Sequence, residues 1–225
     1  MKETIWIFGD SYAESAESMG QKTTFDCWYE RLEEEYNVVN FAISGTGPEW
    51  SLQRLIEEDA KIDGETLDRR NKKEISILFL ASHPFRFNFR FYKNPRDQNF
   101  SCTGEKRHPR NDLLKYNRFI EMFFRDYVYH NGINRKNGRL TLSNMFMVNH
   151  YARAYKKCMY IQLFESCKFD SKIAQLYSSE NFYICPMTFH DFTIFEPYGT
   201  MSVPNHMDEE GHQKVYELVT DFLLD

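Results

Sequence analysis

The stretch TIWIFGDSYAES, residues 4–15, changes character in its middle. Its apolar run IWIF ends at Gly9, and Asp10 and Ser11 follow directly. Short, continuous apolar runs are typical of strands that are buried on both faces of a parallel sheet. The stretch therefore predicts a buried first strand with a carboxylate and a hydroxyl at its carboxyl end.

Similar apolar runs alternate with segments of helical period along the rest of the chain. The predicted strands are residues 4–8, 38–42, 75–81, 158–164 and 182–185. The predicted helices lie in residues 23–36 (N-cap Thr24), 47–60 (Pro48 in the first turn) and 208–224. This alternation predicts a three-layer α/β fold whose five-stranded, mainly parallel sheet has the order 2-1-3-4-5.

A long segment between the third and fourth strands, residues 85–157, interrupts the alternation. It begins FRFNFRFY and contains two helical candidates, residues 112–129 and 140–156. We interpret it as an elaborated crossover within one domain that covers residues 1–225, because a chain of this length can bury a single core.

Composition limits the classes of function. Hydrophobic residues make up 42% and aromatic residues 16% of the chain, which is typical of a globular protein. The net charge of −5 provides no general attraction to nucleic acids or anionic membranes. Although the segment 86–110 carries seven Lys or Arg against two Asp or Glu, it lacks a known binding module, so nucleic acid is not an expected partner.

The cysteines and the beginning of the chain indicate a reducing compartment. The five cysteines are widely spaced and contain no C-x-x-C pair, so we expect them to be reduced and expect no metal site. The first apolar run has four residues, too few for the apolar region of a signal peptide, and no later run reaches the ~18 residues that span a bilayer. We therefore expect a cytoplasmic protein without a membrane partner.

Three residues follow strands in a way that suits acyl transfer. Ligands of open parallel sheets bind beyond the carboxyl ends of the strands. Ser11 at such an end can act as a nucleophile, and the backbone N–H groups of Ser11 and Gly45 can stabilise an oxyanion. His206 precedes the last predicted helix and can act as the base. His212, within that helix, is expected to be either a surface histidine or a histidine with its hydrogen bonds satisfied.

The residues GDS at 9–11, NFAISG at 40–45 and His206 followed by EGH at 210–212 resemble three sequence blocks of the SGNH (GDSL-type) hydrolases. The resemblance covers most of the chain apart from the long crossover. It implies a flavodoxin-like fold, no cofactor, and hydrolysis of esters or thioesters with Ser11 as the nucleophile and Gly45 as an oxyanion donor. By analogy with the family, the substrate is a small ester or an acylated carbohydrate from which an acyl group such as acetyl is removed.

The chain departs from the family at two positions. The third block of the family usually reads Gly-x-Asn-Asp, and the corresponding residues here are ASHP at 81–84, so His83, or less favourably Ser82, takes the place of the Asn donor. The family usually has an Asp three residues before the catalytic His, and Val203 occupies that position. The predicted site is therefore a Ser11–His206 dyad without a carboxylate.

These departures leave a second hypothesis open. The chain is then a catalytically impaired SGNH-fold protein with a binding or structural role, of the kind that also occurs in tailed phages, where it would be associated with the virion. Residues 85–110 are in that case an interface for a protein partner or for a second copy of the chain.

Overall fold

The computed structural model describes residues 2–15, 24–64, 72–82, 133–163, 169, 171–192 and 207–225. Its strands are β1 (Thr4–Phe8), β2 (Asn37–Asn40), β3 (Ile75–Ala81), β4 (Lys157–Gln162) and β5 (Phe182–Thr188). Its helices are α1 (Trp28–Glu33), α2 (Pro48–Gly64), α3 (Ile133–Ala152), α4 (Ser171–Tyr177) and α5 (Glu209–Leu224). Short 3-10 turns occur at Lys72–Glu74 and Phe189–Phe192.

The strands form one five-stranded sheet in the order β2-β1-β3-β4-β5. Every neighbouring pair is parallel, which confirms the predicted order and direction. This is the strand order of the flavodoxin-like α/β fold. The carboxyl ends of all five strands therefore lie along the same edge of the sheet.

Helices cover both faces of the sheet, which makes the domain three-layered. Residues of α1 and α5 share one core cluster with Leu78 and Leu80 of β3. Residues of α2, α3 and α4 share a second cluster with Ile77 and Phe79 of the same strand. Because β3 is apolar on both faces and buried throughout, it contributes to both cores.

Two boundaries differ from the predictions for local chemical reasons. Helix α1 begins at Trp28 and its N-cap is Cys27, not Thr24, because the Glu30 carboxylate accepts the Cys27 N–H at 2.7 Å. Strand β2 ends at Asn40, two residues before the predicted end at Ala42. There the Asn40 side chain accepts the Ala42 N–H at 3.0 Å, which turns the chain out of the sheet.

The other end of the sheet also has an irregular strand. Strand β5 continues past Cys185 to Thr188 and includes Pro186, which an edge strand tolerates, and its register with β4 shifts between Tyr160 and Gln162. Helix α3 begins at Ile133, before the predicted start at 140, and ends at Ala152, before the predicted end at 156. The helix predicted at 112–129 lies outside the described residues. Across the described ranges, every helix is too short or too polar to span a lipid bilayer.

Candidate functional site

Ser11 lies in a tight turn directly after β1, which we call the serine turn (residues 10–14). The Asp10 carbonyl accepts the N–H groups of Ala13 and Glu14, both at 3.0 Å, so the chain makes a single helical turn. Ser11 is 6% exposed and Asp10 is fully buried. The sequence correctly predicted a polar turn at the end of β1.

Gly45 lies in a second turn between β2 and α2, which we call the glycine turn (residues 43–47). Its φ of 78° is in the left-handed region, which favours glycine over residues with a Cβ. The Ile43 carbonyl accepts two hydrogen bonds from Thr46, from the N–H at 3.3 Å and from Oγ1 at 2.7 Å. These bonds hold the glycine turn closed just ahead of Pro48, the first residue of α2.

The two turns are linked through the Gly9 carbonyl. This carbonyl accepts the Ile43 N–H at 3.2 Å and Thr46 Oγ1 at 3.1 Å. A side chain at Gly9 would not fit, because a Cβ there would lie 2.9 Å from Leu80 Cβ on β3. The structure thus brings the turns that carry Ser11 and Gly45 together at the carboxyl ends of adjacent strands.

Two further hydrogen bonds join the same turns. Asn40 Nδ2 donates to the Ala13 carbonyl at 2.6 Å, and the Ser44 N–H donates to the Glu14 carboxylate at 2.6 Å. The sequence pattern assigns no such role to Asn40 or Glu14. The available signal was an Asn at the last position of a strand, since such residues often bind nearby backbone.

Asp10 connects the serine turn to the end of β3. Its carboxylate accepts the Ser82 hydroxyl at 2.6 Å and the Tyr12 N–H at 3.2 Å. The Ser82 hydroxyl has a single proton, and the hydrogen bond directs it to Asp10. This geometry argues against the weaker prediction that Ser82 donates to an oxyanion.

His83 and His206 lie outside the described residues, so their predicted roles remain predictions. Their described neighbours are Ser82 and Met207, both buried. Met207 belongs to the same core cluster as Tyr12, the residue after Ser11. The described chain next to His206 therefore packs in the core region that also holds the serine turn.

The beginning of α5 packs against the turn that follows β5. Asp208 is the N-cap and accepts the Gly211 N–H at 2.8 Å. A Cβ at Gly211 would lie 2.5 Å from the Phe192 carbonyl oxygen, so this close approach requires glycine. Helix α5 therefore starts at the carboxyl edge of the sheet.

Of the two alternatives for His212, surface or satisfied, the structure shows the satisfied one. It is fully buried, and its Nδ1 accepts the Trp28 N–H at the start of α1 at 3.1 Å. The Trp28 indole N–H in turn donates to the Tyr12 carbonyl at 3.1 Å. His212 thus helps to fix α1 against the serine turn, and its Nδ1 is occupied.

Two of the described cysteines, Cys27 and Cys158, are unsuited to nucleophilic chemistry. Burial raises the pKa of Cys27 to about 12, and burial also raises the pKa of Cys158. A thiol with a raised pKa carries little of the reactive thiolate at neutral pH. Within the described ranges there is also no group of three or more His, Cys, Asp or Glu that could hold a metal ion.

Comparisons with known proteins add little to this description. No protein-family model matches the chain, and no curated protein matches it. Solved structures that match include the crystal structure of TesA, which is 16% identical over 98% of this chain and 98% of that chain, with a TM-score of 0.48. Strand order and register define the fold, and the hydrogen bonds between the serine turn and the glycine turn define the candidate site.

Proposed function

We propose that this protein is a serine esterase of the SGNH type that hydrolyses a small acyl ester, such as an acetyl ester, through Ser11 and His206. The observation that carries the proposal is the hydrogen bond from the Ile43 N–H to the Gly9 carbonyl at 3.2 Å. Thr46 Oγ1, whose single proton is shared with the Ile43 carbonyl, lies 3.1 Å from the same oxygen. These contacts hold the serine turn and the glycine turn in a fixed relation. Acyl transfer needs such a relation between a nucleophile and its oxyanion donors.

In this mechanism the Ser11 hydroxyl oxygen forms a bond to the ester carbonyl carbon while His206 takes the hydroxyl proton. The negative charge on the former carbonyl oxygen is stabilised by the backbone N–H groups of Ser11 and Gly45, with His83 as a third donor. His206 then returns the proton to the leaving alcohol. Water releases the acyl group from Ser11 in the same way, and the free enzyme is restored.

Because Val203 stands three residues before His206, where the family usually has an Asp, we expect a modest rate of ester hydrolysis. With an Asp at that position, a carboxylate would orient the imidazole and stabilise its protonated form. A backbone carbonyl can orient His206, but as a neutral acceptor it makes a weaker hydrogen bond to a charged imidazole than a carboxylate does. We therefore expect slow turnover, and we expect Val203→Asp to increase it.

The test is labelling by a serine-reactive fluorophosphonate together with hydrolysis of short-chain aryl esters. We expect wild type to be labelled at Ser11 and Ser11→Ala to lose both labelling and hydrolysis. His206→Ala should have the same effect. Ser44→Ala is the matched control, because this exposed serine in the glycine turn contributes its backbone N–H, not its hydroxyl, to the link with Glu14.

Labelling that persists in Ser11→Ala would contradict the assignment of the nucleophile. Folded wild type and folded Val203→Asp that are both unlabelled and inactive would contradict esterase activity altogether. That result would favour the second candidate, a protein that keeps the fold but serves as a binding or structural component. The near-complete burial of Ser11 favours this alternative, because a nucleophile must be reached by its substrate.

A further inference from the structure

A cleft of about 360 Å³ lies beside the glycine turn, between the end of β2 and the first half of α2. Its lining includes Phe41, Ile43, Trp50, Gln53, Arg54 and Glu57. This volume is within the range of small-molecule sites, which start at ~300 Å³. The mechanism above uses none of the side chains of this cleft.

The cleft has an aromatic floor of fixed geometry. The Phe41 ring stacks on Phe8 with a centroid distance of 5.0 Å and an interplanar angle of 17°. It also meets the edge of Trp6, at 5.7 Å and 90°. Since Phe8 and Trp6 are buried residues of β1, the floor is anchored in the sheet.

One face of α2 forms the wall. Trp50, Gln53, Arg54 and Glu57 follow the spacing i, i+3, i+4 and i+7, which places them on one side of a helix. Trp50 is partly exposed, so part of its indole is accessible from the cleft. A ligand in the cleft would therefore meet an aromatic side chain and a row of planar polar groups.

The polar groups of the wall are already paired with one another. The Arg54 guanidinium lies 5.1 Å from the Phe41 ring centroid and forms ion pairs with Glu57 at 3.6 Å and Glu58 at 2.7 Å. Gln53 Nε2 donates to Glu57 Oε1 at 2.9 Å. Because carboxylates already balance Arg54, an anionic ligand gains little, and an alkyl chain would have to remove water from this charged row.

We propose that the cleft binds a neutral pyranose ring of the substrate, on the alcohol side of the scissile ester. Such a ring has C–H faces that pack on aromatic side chains and a rim of hydroxyls that donate to and accept from planar polar groups. Trp50 supplies the aromatic surface, and Gln53 and Glu57 supply hydrogen-bonding groups. The assignment to the alcohol side rests on the proposed esterase function, whereas binding of the ring does not.

The cleft borders the glycine turn through Ile43. Ile43 lines the cleft and also donates its N–H to the Gly9 carbonyl and accepts from Thr46. A sugar that contacts Ile43 therefore lies next to the turn that carries Gly45. This adjacency makes the cleft suitable for the sugar that bears the ester group.

The first experiment measures binding without catalysis. Ser11→Ala is titrated calorimetrically with xylotetraose, cellotetraose and chitotetraose, and with polygalacturonate as the anionic probe. We expect at least one neutral oligosaccharide to bind and Trp50→Ala in the same background to weaken its binding about tenfold. Phe146→Ala is the matched control, since Phe146 is 44% exposed and lies on α3, where it packs against Tyr177. Gln53→Ala removes a polar side chain from the same face of α2 and changes the structure less than Trp50→Ala does.

Absence of binding by every neutral oligosaccharide would overturn the proposal, and so would binding that Trp50→Ala and Gln53→Ala leave unchanged. Binding of polygalacturonate alone would show that the cleft is not specific for a neutral sugar and would also overturn it. Each of these results is independent of esterase activity.

The second experiment distinguishes sugar binding in the cleft from the chemical step at Ser11. We expect Trp50→Ala to lower kcat/KM about tenfold for acetylated xylotetraose and to leave it unchanged for 4-nitrophenyl acetate, which has no sugar. If Trp50→Ala lowered kcat/KM only for 4-nitrophenyl dodecanoate, the cleft would be assigned to an acyl chain and the proposal would be overturned. If neutral oligosaccharides bind but no ester is hydrolysed, the proposed function fails and the sugar site stands.

Discussion

The two ends of the sheet are built differently at the carboxyl edge. At the β1–β2 end, hydrogen bonds join residues that are far apart in the chain, Gly9 with Thr46 and Glu14 with Ser44. At the β5 end, the N–H and hydroxyl of Thr188 donate to Asp191, three residues later, at 2.7 and 3.1 Å. The first kind of bond fixes two turns relative to each other, and the second kind shapes one turn.

This difference indicates which end is suited to catalysis. A site that uses backbone N–H groups from two separate turns depends on their relative position to within a fraction of an ångström. Bonds between the turns supply that constraint, whereas a bond within one turn does not. Substitutions at the β1–β2 end should therefore lower the free energy of unfolding and ester turnover more than substitutions at the β5 end.

Asp10→Ala should have the largest effect on stability. It leaves the buried Ser82 hydroxyl and the Tyr12 N–H without this acceptor, and an unsatisfied buried polar group costs ~1–3 kcal/mol. We expect the free energy of unfolding, measured by urea denaturation, to fall by about 2–5 kcal/mol. Asp10→Asn keeps one carbonyl oxygen as an acceptor and should lose less. An ordinary hydrogen bond contributes ~1 kcal/mol. If Asp10→Ala lowered the free energy of unfolding by less than about 1 kcal/mol, the special role of this link would be contradicted.

Gly45→Ala should have the second largest effect. A residue with a Cβ costs ~1–2 kcal/mol in the left-handed region, so we expect unfolding free energy to fall by about that amount. If the Gly45 N–H binds the oxyanion, a shifted backbone should also lower ester turnover by up to ~100-fold. Gly47→Ala is the control, because the described glycines with positive φ do not include Gly47. Equal effects of the two substitutions would contradict this interpretation of Gly45.

The sequence predicted the sheet well because burial on both faces leaves a strong pattern. All seven residues of β3 are apolar or small and buried, so its bounds were predicted correctly. Two of the boundaries that were wrong, the end of β2 and the start of α1, depend on single side chains that bind backbone. Asn40 ends β2 early and Glu30 moves the start of α1, and neither interaction changes the hydrophobic period.

The candidate site was predictable only in part, for a related reason. Ser11 and Gly45 stand out because a polar turn and a glycine follow buried strands. The hydrogen bond between Asp10 and Ser82 joins residues 72 positions apart, and one sequence contains no periodic signal for such a contact. Long-range polar contacts of this kind emerge only when the sheet order brings strand ends together.

Asp191→Ala should have a smaller effect. Asp191 is exposed and its hydrogen bonds lie within the turn after β5, so we expect a loss of about 1 kcal/mol in unfolding free energy. Ester hydrolysis and fluorophosphonate labelling of Ser11 should fall less than in Gly45→Ala, since this turn does not hold the serine turn, although it packs against the start of α5, close in sequence to His206. A loss of labelling without a loss of folding would mean that the β5 end contributes to the site as well.

The smallest expected effect is a change in the rate of cysteine modification. This rate compares the local stability of the two ends directly. Cys27 precedes α1, near the serine turn, and Cys185 lies in β5, and both thiols are buried. With a pKa raised by burial to about 12, about one Cys27 thiol in ten thousand is ionised at pH 8, and iodoacetamide reacts with the thiolate. In native wild type we therefore expect both residues to be modified slowly, as measured by peptide mapping, and equally fast in urea.

Asp10→Ala removes a bond at Tyr12, whose carbonyl accepts the Trp28 indole N–H, so α1 should open more often in this variant. Modification of Cys27 should then accelerate several-fold more than modification of Cys185. Equal acceleration at both cysteines would mean that the sheet opens as one unit, and the two ends would then differ in geometry but not in local stability.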